Sequence, residues 1–131
     1  MRALLDTHVF LWAIDQYEKL SGAARDLIED SSTDLLLSSA SIWEIMLKAA
    51  RGKVLPGLAP EECIRFLRDH LKRLNTTVLA IEASHAFATA RLPLIHKDSF
   101  DRLLIAQAKA ENVALVTGDR NIIAYPVRTI W

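Results

Sequence analysis

Three consecutive leucines, Leu35-Leu36-Leu37, bounded by Asp34 and Ser38, constrain the fold of this chain more than any other segment. A strand with one wet face alternates apolar and polar residues, whereas a continuous apolar run suits a strand buried on both faces, as in parallel sheets covered by helices. Ala3 to Leu5 is a shorter apolar run, Thr76 to Ala80 is β-branched enough for a third strand, and Val113 to Thr117 supplies a fourth. Val127 to Trp131, after Pro126, fits a final edge strand.

The segments between these runs read as helices. Asp6-Thr7 turns the chain into a helix bearing Val9, Phe10, Leu11, Trp12 and Ile14, and Leu20 to Ile28 has the spacing of a second amphipathic helix. A third passes through Ile42, Ile45, Met46 and Ala49 to Gly52, a suitable C-terminal cap, and Gly52 to Pro60 is the one clear loop. Further helices start at Glu61, run from about Glu82 to Ala90 before Pro93, and run from about Asp98 to Glu111; a short one follows Gly118-Asp119-Arg120-Asn121. Strands alternating with helices in this way specify an α/β fold, a central, mostly parallel sheet of four to five strands flanked by helices. Residues 1–131 read as a single domain, without an internal repeat.

Composition excludes several classes. Hydrophobic residues make up 51% and charged residues 24%, far from the composition of disordered chains. One cysteine, Cys63, permits no internal disulfide and fits a reducing, cytoplasmic setting; its place in a helix suits a small core hydrophobe. Asp6 interrupts the first apolar stretch, which argues against a secretory signal, and no 18-residue apolar run exists to span a membrane. The 16 basic and 16 acidic residues cancel, but with four acids neutralised by metal the balance becomes 16 against 12 and permits an RNA partner.

Four acids stand at places with two readings each. Asp6 follows the first strand and suits a helix N-cap; Ser41-Ile42-Trp43-Glu44 matches a capping box, and Glu44 can also pair with Lys48 one turn on. Asp98 and Asp101 share a face at a helix start, and Asp119 follows the fourth strand as an N-cap would. Taken singly, capping explains each. Taken together, they converge, because in a parallel sheet ligands bind beyond the carboxyl ends of the strands. Clustered carboxylates require raised pKa values or a cation, and a set of Asp and Glu without Cys or paired His points to Mg²⁺ or Mn²⁺ rather than zinc.

Four segments, Leu4-Leu5-Asp6-Thr7-His8, SSASIWE from Ser38 to Glu44 with Lys48, Gly52 and Lys53 downstream, HKDSFDRLLIAQA from His96 to Ala108, and Val116-Thr117-Gly118-Asp119, occur in an order that resembles the PIN-domain ribonucleases, especially the VapC-type toxins of prokaryotic toxin–antitoxin pairs. The resemblance spans essentially the whole chain. It implies a PIN-like α/β/α sandwich and a metal-dependent endoribonuclease whose metal-binding, catalytic acids are Asp6, Glu44, Asp101 and Asp119, with Asp98 as an outer member. In that family picture Asp6 and Asp101 bridge metal, Glu44 binds it or orients water, and Asp119 is peripheral. It also implies an RNA substrate, a small cognate antitoxin and a homodimer. Two departures stand out: Ser99 where the family commonly has proline, and Gly118 where it commonly has a basic residue.

Weaker readings attach to other residues. Thr7 and Thr117 can hydrogen-bond the acids or simply end strands as β-branched residues do. Lys48, Arg51, Lys53, Lys97, Arg102 and Arg120 are available for phosphates, or are solvated surface. His8, His70, His85 and His96 read as structural or neutral, and Trp12, Trp43 and Phe10 as core or interface rather than base-stacking platforms. A catalytically silent RNA- or protein-binding module is the competing function, opposed by the presence of all four acids. A phosphatase with Asp6 as covalent nucleophile fares worse, because the haloacid-dehalogenase-like enzymes carry a second aspartate where this chain has His8.

Overall fold

In the computed structural model, which describes residues 1–131, the leucine run is a strand, β2 (Asp34–Ser38), paired with β1 (Arg2–Leu5) on one side and β3 (Thr76–Leu79) on the other. β4 (Ala114–Val116) lies against the free side of β1, and β5 (Thr129–Ile130) closes the far edge. The order is β3-β2-β1-β4-β5 and every pairing is parallel, so the sheet has the upper of the expected strand counts and no antiparallel member.

Side chains along a strand point alternately to its two faces, and here both faces are covered. Ala3, Leu5, Leu35, Leu37 and Val116 pack with Val9 and Phe10 of α1 (Thr7–Asp15), Ala24 and Leu27 of α2 (Gly22–Glu29), Ile45 of α3 (Ser39–Ala50) and Leu67 of α4 (Pro60–Arg73). Leu4, Leu36 and Leu115 face the other way, onto Leu104, Ile105 and Ala108 of α6 (Ser99–Ala110) and Ile122 of α7 (Arg120–Ile123). The result is the three-layer α/β/α sandwich. Burial on both faces is what the unbroken leucines of β2 encode. β3 differs, because as an edge strand it leaves Thr77 and Val78 exposed.

The two ends of α3 fix how its side chains meet the sheet. The helix begins at Ser39 rather than at Ile42, where its apparent capping box would start it: Ser38, the last residue of β2, is the N-cap, its hydroxyl accepting from Ala40 N at 3.0 Å. It ends on Gly52, whose φ of +70° lets Gly52 N donate to Ala49 O at 3.0 Å and Lys53 N to Lys48 O at 2.9 Å, satisfying carbonyls the helix would otherwise orphan. α5 (Ala83–Ala88) is shorter than its sequence suggests and tightens into a 3₁₀ turn over Thr89–Arg91. No helix is long and apolar enough to cross a membrane. Because the strands are parallel, the residues after β1, β2 and β4 leave the sheet at one edge, and α6, returning to β4, starts there as well.

Leu37→Ala, at a fully buried position of β2, is expected to cost about 2–5 kcal/mol in urea denaturation. Val78→Ala on the edge strand, 43% exposed, is expected to cost under about 1 kcal/mol. Equal costs would contradict a sheet covered on both faces at β2.

Candidate active site

Asp6 occupies the N-cap position of α1 but makes no capping bond with its side chain. Its backbone N donates to Val116 O at 3.0 Å, which fixes it in the junction between β1 and β4, and Oδ2 accepts from Thr117 Oγ1 at 2.8 Å. The residue is only 4% exposed, and Oδ1 is buried with no partner. Capping therefore does not account for this aspartate. Burial pushes its carboxyl above the usual carboxylate range; the Thr117 hydrogen bond and nearby His8 pull it down, and Asp119 and Glu44 add to the rise.

Glu44 lies inside α3 rather than in its first turn, because the helix starts at Ser39, so the capping box does not form. The alternative local reading holds, with Lys48 Nζ 3.1 Å from Glu44 Oε2, yet that bond uses one oxygen and leaves Oε1 buried and unpartnered. Thr7 is not bonded to an acid; its hydroxyl donates to Ser41 Oγ at 2.8 Å and ties α1 to α3 beside Glu44.

At the start of α6, Asp98 is the N-cap and accepts from Asp101 N at 3.0 Å, as its position suggested. Asp101 accepts from His96 Nε2 at 3.0 Å, and His96, Asp98 and Asp101 bring their ligand atoms within 4.8 Å of one another. Burial first, then the charges of Asp98 and Asp6, push Asp101 up to about 7, while His96 opposes the rise and Asp119 adds to it. Asp119 caps α7 by accepting from Asn121 N at 2.9 Å, and its own N–H donates to Thr117 Oγ1 at 3.1 Å. Thr117 thus touches two of the acids, and Glu44 and Asp119 lie near enough to Asp6, and Asp6 and Asp119 near enough to Asp101, to raise the carboxyl pKa values, although of the four only Asp101, with Asp98 and His96, belongs to a set whose ligand atoms lie within 4.8 Å.

Sequence reasoning missed His96, which sits in an irregular stretch and meets Asp101 through tertiary structure rather than helix periodicity. His85, by contrast, is structural: buried, accepting at Nδ1 from Glu82 N at 3.0 Å and donating from Nε2 to Glu111 at 3.2 Å. Arg102 is not available for phosphates. Its guanidinium donates to Pro93 O at 2.8 Å, Thr89 O at 3.0 Å and Tyr125 Oη at 3.0 Å, and Tyr125 in turn accepts from His96 N at 2.8 Å. Arg51, Lys53, Lys97 and Arg120 are exposed. Phe10 is core, as its sequence context implies; Trp43 is not, being 60% exposed and packed edge-on to Phe100 at 5.3 Å.

The donor set fits a hard divalent cation. Asp6 Oδ1 and Glu44 Oε1 are carboxylate oxygens withdrawn from water without a hydrogen-bond donor, an arrangement that costs free energy unless a cation or a proton completes it. Apart from His96 the donors on offer are carboxylate oxygens, the ligands that hard divalent cations take.

Known proteins share both the sequence pattern and the fold. A model of the PIN domain matches residues 3–127. The ribonuclease VapC22 of Mycobacterium tuberculosis is 27% identical over 132 residues, covering 98% of this chain and 97% of that protein. Ribonuclease VapC16 of the same organism is 33% identical over 61 residues, a match that spans 47% of this chain and only 41% of that protein. Among solved structures, VapBC2 of Rickettsia felis, bound to a DNA fragment from its promoter, superposes with a TM-score of 0.74 at 19% identity, covering 99% of this chain and 98% of that one. At that identity the likeness speaks to the fold alone.

In chelator, the raised Asp101 carboxyl keeps its proton in the folded state to about pH 7, whereas in the unfolded chain it ionises near pH 4. Its contribution to stability is therefore present at acid pH and lost as pH rises through that window. Asp101→Asn is expected to melt higher than wild type in chelator at pH 8 and to lose most of the Tm increase that Mn²⁺ confers on wild type. A wild-type Tm indifferent to Mn²⁺, or the same pH dependence in both proteins, would contradict the cation-fitting arrangement.

Proposed function

Because a PIN-domain model covers residues 3–127, the chain belongs to the PIN-domain family, and we propose that it is a metal-dependent endoribonuclease acting as the toxin of a toxin–antitoxin pair, in one domain spanning residues 1–131. The observation that carries this reading is the pair of buried, unpartnered carboxylate oxygens on Asp6 and Glu44, within an acid set that includes Asp101 and Asp119. Those four residues would hold Mg²⁺ or Mn²⁺. When bound, such a cation supplies charge neutralisation for the phosphodiester and a water acidic enough to attack phosphorus near neutral pH.

The chain's own groups prepare that site. Thr117 orients the Asp6 carboxylate, and His96 holds one oxygen of Asp101, leaving each acid's other oxygen free to face the cation. Lys48 anchors one oxygen of Glu44 and adds a positive charge beside the acids. Arg120, exposed next to Asp119, and Lys97, exposed next to Asp98, are the cations best placed for the RNA backbone. No side chain is required as covalent nucleophile. The two VapC ribonucleases support the nuclease assignment and the VapBC2 neighbour supports a small cognate antitoxin, while a homodimer and a cytoplasmic setting are what the VapC-type motifs imply.

Purified protein incubated with structured and unstructured RNAs is expected to cleave with Mg²⁺ or Mn²⁺ and to stop in chelator. Asp6→Asn and Asp101→Asn are each expected to lower cleavage by about 100-fold or more, the scale of losing an electrostatic element of the transition state. Wild type that cleaves no RNA under any metal would overturn the nuclease reading and favour a silent binding module. Equal cleavage by the variants would overturn the assignment of these acids.

A further inference from the structure

Trp131 follows β5, and because β5 runs parallel to β4 it emerges at the sheet edge that carries Thr117, Gly118 and Asp119. Thr117 N donates to Ile130 O at 3.1 Å, which sets the register of the two segments. The indole lies against Gly118: a β-carbon built there would stand 2.6 Å from Cε2 and 2.7 Å from Nε1, so the ring in this position requires glycine beneath it. Trp12 braces the ring, with centroids 6.1 Å apart and planes at 51°, and His8 packs on Trp12 at the same 6.1 Å separation. Lys19 Nζ stands 5.7 Å from the Trp12 ring. Despite these contacts Trp131 remains 40% exposed.

A large apolar ring packed against Gly118, the residue before Asp119, is left 40% exposed, and no packing role demands that exposure. The surroundings are suited to nucleic acid: exposed Lys19 stands over Trp12, the ring that braces Trp131, exposed Arg120 lies two residues past Gly118, and aromatic faces stack on bases without regard to sequence. We propose that Trp131 is the stacking surface for an unpaired nucleobase of the RNA held at the acids. This rests on the ribonuclease reading of the acidic site. In duplex RNA the base faces are covered by their neighbours, and only a splayed or single-stranded nucleotide offers a face to the ring. Stacking requires the ring in place, which makes Gly118 part of the same device.

The test is a coupling measurement. A labelled single-stranded RNA octamer, a set of octamers each abasic at one position, and a blunt RNA hairpin are titrated against wild type, Trp131→Ala, Trp131→Phe and Gly118→Ala by fluorescence anisotropy in Ca²⁺. Cleavage of the same RNAs is followed separately in Mg²⁺ and Mn²⁺, and melting temperatures verify that each variant folds. Trp131→Ala is expected to weaken binding of the intact octamer by about 10- to 100-fold and Trp131→Phe by less. Removing the base at one position is expected to weaken wild type by a similar factor and to add nothing in Trp131→Ala. Gly118→Ala, which keeps the tryptophan but displaces its ring, is expected to reproduce the loss, and the hairpin to bind wild type no better than Trp131→Ala.

Independent, additive effects of ring and base would overturn the proposal, as would octamer binding indifferent to Trp131. Variants that lose affinity for a cognate antitoxin alone would make the ring a protein contact, which also overturns it. Coupled binding without cleavage in any metal would defeat the ribonuclease reading while sustaining the stacking surface; cleavage without coupling would do the reverse.

Discussion

β1 has no free edge, and the chemistry of this molecule depends on that fact. Lodged between β2 and β4, it delivers Asp6 into a junction where the backbone is already committed to Val116 O and the side chain is shut off from bulk water. A carboxylate there carries a desolvation cost that one hydroxyl from Thr117 offsets only in part, and the shortfall appears as a raised pKa and an oxygen with no donor. The same parallel geometry carries Glu44 in after β2, Asp119 in after β4 and Asp101 in before it. The fold concentrates negative charge where water is scarce, and protons or a bound cation are the groups that relieve it.

Much of this is legible in the residues alone, and the reasons differ by position. Leu35-Leu36-Leu37 announces a doubly covered strand because hydrophobic periodicity is set by burial itself, and the three-layer architecture comes with strands alternating with helices. Helix boundaries are less accessible. Ser38, Ser39 and Ser41 can all cap a helix, and the choice among them falls to β2, whose pairing of Ser38 with Leu79 extends the strand up to the first of them. That choice removes the capping explanation for Glu44, while Asp98 and Asp119 do prove to be caps. Capping and membership of an acidic cluster are compatible, since a side chain that accepts one backbone N–H has a second oxygen to offer.

His96 and Trp131 lie beyond sequence reasoning because each acquires its role through a partner that no local period predicts. His96 meets Asp101 only after the stretch ahead of α6 folds back, and Trp131 meets Gly118 only because a two-residue strand aligns them. In the sequence, Gly118 looks like a plain loss of positive charge against the resembling family. In the structure it is the space that an indole fills, so two residues that seem unrelated act as one unit.

Arg102 gives the region a different kind of significance. Its three donated bonds reach Thr89 and Pro93 on one strip of chain and Tyr125 on another, and Tyr125 extends the linkage to His96. Leu94 and Ile95, inside that strip, are largely exposed and contribute little hydrophobic adhesion of their own. Arg102, with Leu92 buried in the core beneath the strip, is therefore what ties this irregular stretch to Tyr125 and, through it, to the residue that holds Asp101.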